Sequence, residues 1–258
     1  MAGFRPVVFA ATLLCAVLVQ VGANLSNDYF DFIRGADTSA RLGPPRVTQL
    51  GLLPPTAVRN GAALVFGLAL LCGIYLVTVG GWPVLAIGLA CIGAGILYTG
   101  GPWPLAYHGL GDAAAFIFFG LLGVTGSAYL QGAGFSAQAA IDAIPIGLLI
   151  TAILVVNNLR DVDSDHAAGK FTVAVAIGRR ATRVEYALLL AVTYALPAAR
   201  LLTGGSIWFW LPWLSAPLAI RLARTVFREE GRPLNAALVG TARLTLIYGV
   251  LEVLSIVF

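Results

Sequence analysis

Asn24, Asp28 and Asp31 lie in the stretch Asn24-Leu-Ser-Asn27-Asp28-Tyr-Phe-Asp31, at the i, i+4, i+7 spacing of one helical face. A second stretch, Asn157-Asn158-Leu-Arg160-Asp161-Val-Asp163-Ser-Asp165, repeats the arrangement with Asn157, Asp161 and Asp165 at i, i+4, i+8. Each stretch closes a long apolar run. Together with Asp37 and Asp163, the two clusters hold six of the twelve acidic residues in the chain. Carboxylates gathered at the ends of membrane helices are costly unless cations neutralise them. Magnesium suits carboxylate, amide-carbonyl and water oxygens, and is commonly held by one or two carboxylates plus the phosphates of a substrate. Two such ions would bridge the clusters and grip a diphosphate, with Lys170, Arg160 and Arg46 adding positive charge. The chemistry this favours is loss of diphosphate from an allylic carbon, followed by attack of an electron-rich aromatic ring in a water-poor cavity. Two other readings stand beside it at this point: polar decoration of helix ends, and a metal-ion transport pathway.

The elements that must position these residues are membrane helices. The 258 residues are 59% apolar and only 11% charged, against about 25% charged in a soluble domain. The mean hydropathy is +0.89. The apolar runs are about 20 residues long, the length of a spanning helix rather than of a barrel strand. Eight spans are predicted, near 6–25, 57–79, 82–99, 112–130, 143–160, 184–202, 206–223 and 235–257. The first run also has the outline of a signal peptide, but cleavage after Ala23 would strip the helix that presents the aspartates, so it is read as a retained span. Residues 1–258 form a single membrane domain, and no basic, aromatic-interleaved segment suggests a nucleic-acid partner.

Charge sets the expected orientation. Loops 26–59, 159–183 and 221–234 carry four, five and four of the sixteen basic residues, all on the face that also carries both aspartate clusters. The positive-inside rule makes that face cytoplasmic. Fifteen of the sixteen are arginine, a bias that points to a GC-rich bacterial genome and so to a bacterial inner membrane. Cys15, Cys72 and Cys91 lie inside apolar runs and read as small buried hydrophobes.

Extended in both directions, the stretches become Asn24-x-x-Asn27-Asp28-Tyr-Phe-Asp31-Phe-x-x-Gly35-x-Asp37-Thr38 and Asn157-Asn158-x-Arg160-Asp161-x-x-x-Asp165-x-x-x-Gly169-Lys170-x-Thr172. They resemble the two signature segments of the UbiA superfamily of intramembrane aromatic prenyltransferases. Gly43-Pro44-x-Arg46-Val47-Thr48-Gln49, Tyr98-Thr99-Gly100-Gly101-Pro102-x-Pro104-Leu105-x-Tyr107 and Thr241-Ala242-Arg243-Leu244 are similar to the branch that prenylates 1,4-dihydroxy-2-naphthoate in menaquinone synthesis. The resemblance runs from about residue 6 to the C-terminus. It implies an all-helical, polytopic bundle around a central cavity, two Mg2+ ions and a polyprenyl diphosphate donor. It also implies an aromatic acid acceptor that loses carbon dioxide as it is prenylated, giving demethylmenaquinone. Other branches use 4-hydroxybenzoate or homogentisate as acceptor.

By motif position, the resemblance implies that Asp28 and Asp31 hold one ion and Asp161 and Asp165 the other. Asn24 and Asn157 would orient or ligate, and Lys170 and Arg160 would neutralise diphosphate. The chain departs from the superfamily in two ways. Gly35 stands where the usual first motif has its last aspartate, with Asp37 two residues on. The family has nine spans, and this sequence is expected to start at what corresponds to the second. Tyr98 and Tyr107 are read either as interfacial belt residues or as acceptor contacts. Arg243 either snorkels to the membrane surface or faces the acceptor carboxylate. His108 is read as solvated or as an acceptor contact. Glu185 is expected in the first turn of its helix and Glu252 at the outer interface.

Overall fold

The computed structural model describes residues 3–37 and 42–258. Thr38 of the first signature segment and Arg41 of the basic loop lie outside the described residues. Among the described residues eight longer helices follow one another, with a short 3-10 turn at Leu105–Tyr107 between the third and fourth: α1 (Pro6–Ile33), α2 (Pro55–Gly80), α3 (Trp82–Leu97), α4 (Gly111–Gly132), α5 (Ala137–Ala167), α6 (Val173–Leu202), α7 (Ala216–Arg228, entered through a 3-10 turn Ile207–Ser215) and α8 (Leu234–Val257). Six of them are long and apolar enough to cross a membrane; α3, with 16 residues, is shorter, and α7 is composite. The chain is a multi-span, all-helical membrane protein, and its helices match the eight predicted spans in order.

Two helices outrun the bilayer. A span needs about 20 residues, whereas α1 has 28 and α5 has 31. The last turns of each carry the two acidic stretches, and α5 also begins, at Ala137, ahead of the predicted span 143–160. A loop was expected over 161–183, but α5 continues to Ala167 and α6 starts at Val173, capped by the Thr172 side chain. Charged residues ended the apolar run without ending the backbone ladder. Glu185 consequently lies well inside α6 rather than in its first turn. In the predicted span 206–223, Pro212 cannot donate to an α-helical ladder, and the first half is wound as a 3-10 turn instead.

The main apolar core belongs to the second half of the chain. Leu149, Val156 and Leu159 of α5 pack with Tyr186 of α6, Val226 of α7 and Leu244 and Tyr248 of α8. Polar contacts cross the same seams: Tyr186 meets Thr241 at 2.9 Å, and the Tyr248 hydroxyl donates to the Thr193 carbonyl at 3.1 Å. Such close packing and interhelical bonding replace the hydrophobic drive that lipid cannot supply. The crossing of α4 and α5 is made by glycines: a Cβ on Gly120 would stand 2.4 Å from the Gly147 Cα. A smaller cluster of Val8, Leu76 and Leu130 ties α1 to α2 and α4. At the end of the bundle away from the acidic stretches, Arg200 pairs with Asp142. Glu252, expected at the interface, is buried there at 7% exposure.

Candidate active site

The surplus turns of α1 turn their aspartates inward. Asp28 and Asp31 are 6% and 3% exposed. Asp28 accepts the Thr48 hydroxyl. Asp31 accepts the Tyr107 hydroxyl at 3.1 Å and faces two cations, Arg46 at 3.7 Å and Lys170 at 3.8 Å. Arg46 also pairs with Asp37 at 3.1 Å. The first cluster is thus held by residues of the 42–50 segment, by the 105–107 turn, and by a lysine in the turn after α5.

The α5 cluster is built around one guanidinium. The Arg160 side chain is 1% exposed and binds Asp161 through both ends of the carboxylate, with Nε 2.8 Å from Oδ1. It also donates to Asn157 at 2.8 Å and to Asn235, in the first turn of α8, at 2.7 Å. Four of the five N–H donors of a guanidinium are committed in this way. Gly43 lies directly against it: a Cβ there would come within 2.7 Å of an Arg160 terminal nitrogen. Asp165, four residues on from Asp161, interacts electrostatically with Lys170, Asp161, Asp31 and Arg160. Asp163 points outward and pairs with Arg179 at 2.6 Å.

The two clusters therefore meet at one end of the bundle. Lys170 joins them, and the backbone follows: the Phe171 amide donates to the Tyr107 carbonyl at 3.3 Å. The Tyr107 ring is flanked by Lys170 at 5.5 Å and Arg34 at 5.4 Å, both over its face. Tyr98 is half-buried just past the end of α3. Burial and then Asp31 push the Tyr107 phenol above its ordinary range. Its hydroxyl accordingly keeps its proton and donates to Asp31.

Of the residues singled out in the sequence, Asp28, Asp31, Arg46, Tyr107 and Lys170 come together around α1. Asn157, Arg160 and Asp161 come together on α5, with Asp165 between the groups. Asn24 does not join: its side chain is exposed and accepts from Gln20 at 3.2 Å, and only its carbonyl meets Arg46. Arg243 is exposed on α8. His108 is exposed, stacked on Trp103 with ring centroids 4.3 Å apart. Sequence reasoning missed Asn235, an uncharged residue far from either stretch. It also gave no role to Thr48, although that residue stands in a quoted motif.

The donor set fits magnesium in one particular manner. Among the described residues no three acidic, histidine or cysteine side chains gather into a ready-made ion cage. What the site offers is paired carboxylates, Asp28 with Asp31 and Asp161 with Asp165, surrounded by Arg46, Arg160 and Lys170. All the donors are hard oxygens, and their number suits ions whose remaining ligands are phosphate oxygens and water.

A model of the UbiA prenyltransferase family matches residues 2–247. A 1,4-dihydroxy-2-naphthoate octaprenyltransferase of Escherichia coli strain K12 is 37% identical over 241 residues, covering 88% of this chain and 76% of that protein. The enzyme described in the same words from Bacillus subtilis strain 168 is 32% identical over 247 residues, covering 94% and 79%. Among solved structures, a UbiA homolog from Archaeoglobus fulgidus bound to DMAPP and Mg2+ superposes with a TM-score of 0.66. It covers 100% of this chain and 90% of that one at 15% identity, a likeness of fold.

Proposed function

The chain belongs to the UbiA prenyltransferase family, and from that premise we propose that it transfers a polyprenyl group from polyprenyl diphosphate to 1,4-dihydroxy-2-naphthoate. The relatives that carry this activity in their names match most of the chain. The observation that carries the reading to this chain's own residues is the meeting of two carboxylate-bearing helix ends, bridged by Lys170 at 3.8 Å from Asp31.

Each residue then has a task. Asp28 with Asp31 and Asp161 with Asp165 would hold Mg2+, which when bound neutralises charge building on the departing diphosphate. Lys170 and Arg46 sit beside Asp31 and offer further N–H donors to the diphosphate oxygens. Arg160 we assign to holding Asp161 and Asn157 in place, because its guanidinium is already committed to them. Tyr107 donates to Asp31 and fixes its orientation. The allylic C–O bond breaks with its electron pair leaving on diphosphate, and the ring carbon bearing the carboxylate bonds to the allylic carbon. The bond to that carboxylate then breaks, carbon dioxide leaves, and its electron pair restores the aromatic ring. The product is the demethylated menaquinol. The apolar helices hold the polyprenyl tail and exclude water from the cationic carbon.

The basic loops, by the positive-inside rule, support a cytoplasmic face for the site, and the bacterial relatives support a bacterial inner membrane as its location. A divalent-cation transporter would need acidic residues along a path through the bundle. Away from the two stretches the bundle holds Asp112 and Glu185, which interact with each other, Asp142, paired with Arg200, and the buried Glu252, so uptake of Mg2+ into proteoliposomes is the measurement that would favour that reading. The test is purified protein in detergent with polyprenyl diphosphate, Mg2+ and a mixture of 1,4-dihydroxy-2-naphthoate, 4-hydroxybenzoate and homogentisate. A prenylated naphthalenediol is expected. Product from either other acid would reassign the acceptor, and no product with any acid would overturn the reading.

A further inference from the structure

We propose that Asn235 is a positioning residue that latches the 42–50 segment over the site and fixes Arg160 against Asp161. The inference rests on the prenyl-transfer reading for its kinetic consequence, but not for its structural one.

Asn235 lies in the first turn of α8, far in sequence from both acidic stretches. Its side-chain amide is used at both ends. The oxygen accepts from Arg160 at 2.7 Å, and the nitrogen donates to the Leu42 carbonyl at 3.1 Å. One amide thus joins three elements: α8, α5 and the segment that follows α1.

The segment it holds touches both clusters. Thr48 donates to Asp28, Arg46 pairs with Asp31 and Asp37, and Gly43 is pressed against the Arg160 guanidinium. Cutting the tie at Leu42 loosens the segment that supplies Thr48 and Arg46. Cutting the bond to Arg160 frees a terminal nitrogen, and the side chains among the described residues that then hold the guanidinium by hydrogen bonds are Asp161 and Asn157, both on α5. Arg160 cannot hold the Asp161 carboxylate in one orientation unless its own plane is fixed. The planar fork has a single orientation that serves Asp161, Asn157 and Asn235 together.

The experiment is a double-mutant cycle with Asn235→Ala and Arg160→Lys, read in two ways. Prenyl transfer gives kcat and the KM for the aromatic acid. Hydrogen exchange on the full-length protein in detergent gives protection of segment 42–50 relative to the α5–α8 core. Asn235→Ala is expected to lower kcat about thirtyfold, the scale of one hydrogen bond to a charged group, with the KM for the acid unchanged. Exchange in 42–50 should rise while the core keeps its protection. In the Arg160→Lys background, Asn235→Ala should lower kcat little further, because the two residues act as one unit. Additive losses in the double variant would overturn the positioning role, and unchanged exchange in 42–50 would overturn the latch. Protection lost equally across the core would also overturn the proposal, by making the effect one of general stability. Wild-type protein that forms no prenylated product would refute the proposed function instead, and exchange in 42–50 would then decide the latch alone.

Discussion

The Lys170 ammonium stands 3.8 Å from the Asp31 carboxylate, so the turn after α5 places its cation on an anion carried by α1. The same ammonium lies over the Tyr107 ring, whose hydroxyl donates to Asp31. Lys170 is therefore held from two sides within reach of both acidic stretches. A compact, flexible ammonium in that place can turn from Asp31 to an incoming diphosphate without moving the backbone.

Replacing Lys170 with Met keeps the apolar stem and removes the charge. The expected result is a fall of about a hundredfold in kcat/KM for the prenyl diphosphate, the scale for losing one electrostatic contact to the leaving group. Lys170→Arg should recover part of the rate, since charge is kept and only geometry changes. Steady-state kinetics on both variants, with circular dichroism to confirm helix content, checks this.

Thr48 makes the hydrogen bond to the buried Asp28 carboxylate. Thr48→Val keeps the shape and removes the donor. A hydrogen bond to a charged group is worth about 2 kcal/mol, so activity should fall about thirtyfold if that bond fixes Asp28 for its role. Thr48→Ser should stay within a few-fold of the wild type. Thermal unfolding should shift little for Thr48→Ser and downward for Thr48→Val.

These residues show what the sequence could and could not carry. The acidic stretches were legible because a helix fixes which residues share a face, so Asp28 with Asp31 and Asp161 with Asp165 followed from spacing. Asn24 shared the predicted face with Asp28, yet its side chain pairs with Gln20 one turn earlier on that same face, and spacing alone does not choose between the two neighbours. The length of α5 was hidden because hydropathy reads the side chains, while a helix continues as long as backbone donors find carbonyls. Asn235 was hidden for another reason. A lone uncharged amide at a helix start has no pattern of its own, and its partners, Arg160 and Leu42, are distant in sequence. Long-range polar contacts of that kind are set by the packing of α8 on α5, which no local window contains.

Removal of divalent ions provides a test of the carboxylate pairs. Chelation with excess EDTA should stop prenyl transfer, and added Mg2+ should restore it. Asp161→Asn should raise the Mg2+ concentration needed for half-maximal rate. The same substitution leaves the buried Arg160 guanidinium without its carboxylate, so a loss of thermal stability should accompany it. A rate independent of chelator and of added metal would rule out the metal–diphosphate reading of the site.

The far end of the bundle offers the contrasting case, a charged group that serves the fold alone. Arg200 pairs with Asp142, and the buried Glu252 feels both charges. Arg200 comes from the end of α6 and Asp142 from the start of α5, so their pair ties two helices together, and Glu252 of α8 interacts with both electrostatically. Arg200→Met removes the only cation of the three and leaves two carboxylates facing one another in an apolar setting. Breaking a largely buried pair by deleting one partner costs about 3 kcal/mol or more. The expected outcome is a clear drop in the midpoint of thermal unfolding, with kcat and KM close to wild type well below that midpoint. A second substitution, Asp142→Asn, should recover part of the lost stability by removing one of the stranded charges. If Arg200→Met instead abolished turnover in protein that is still folded, the far end would have a part in the reaction, and the separation between a catalytic end and a structural end of the bundle would be wrong.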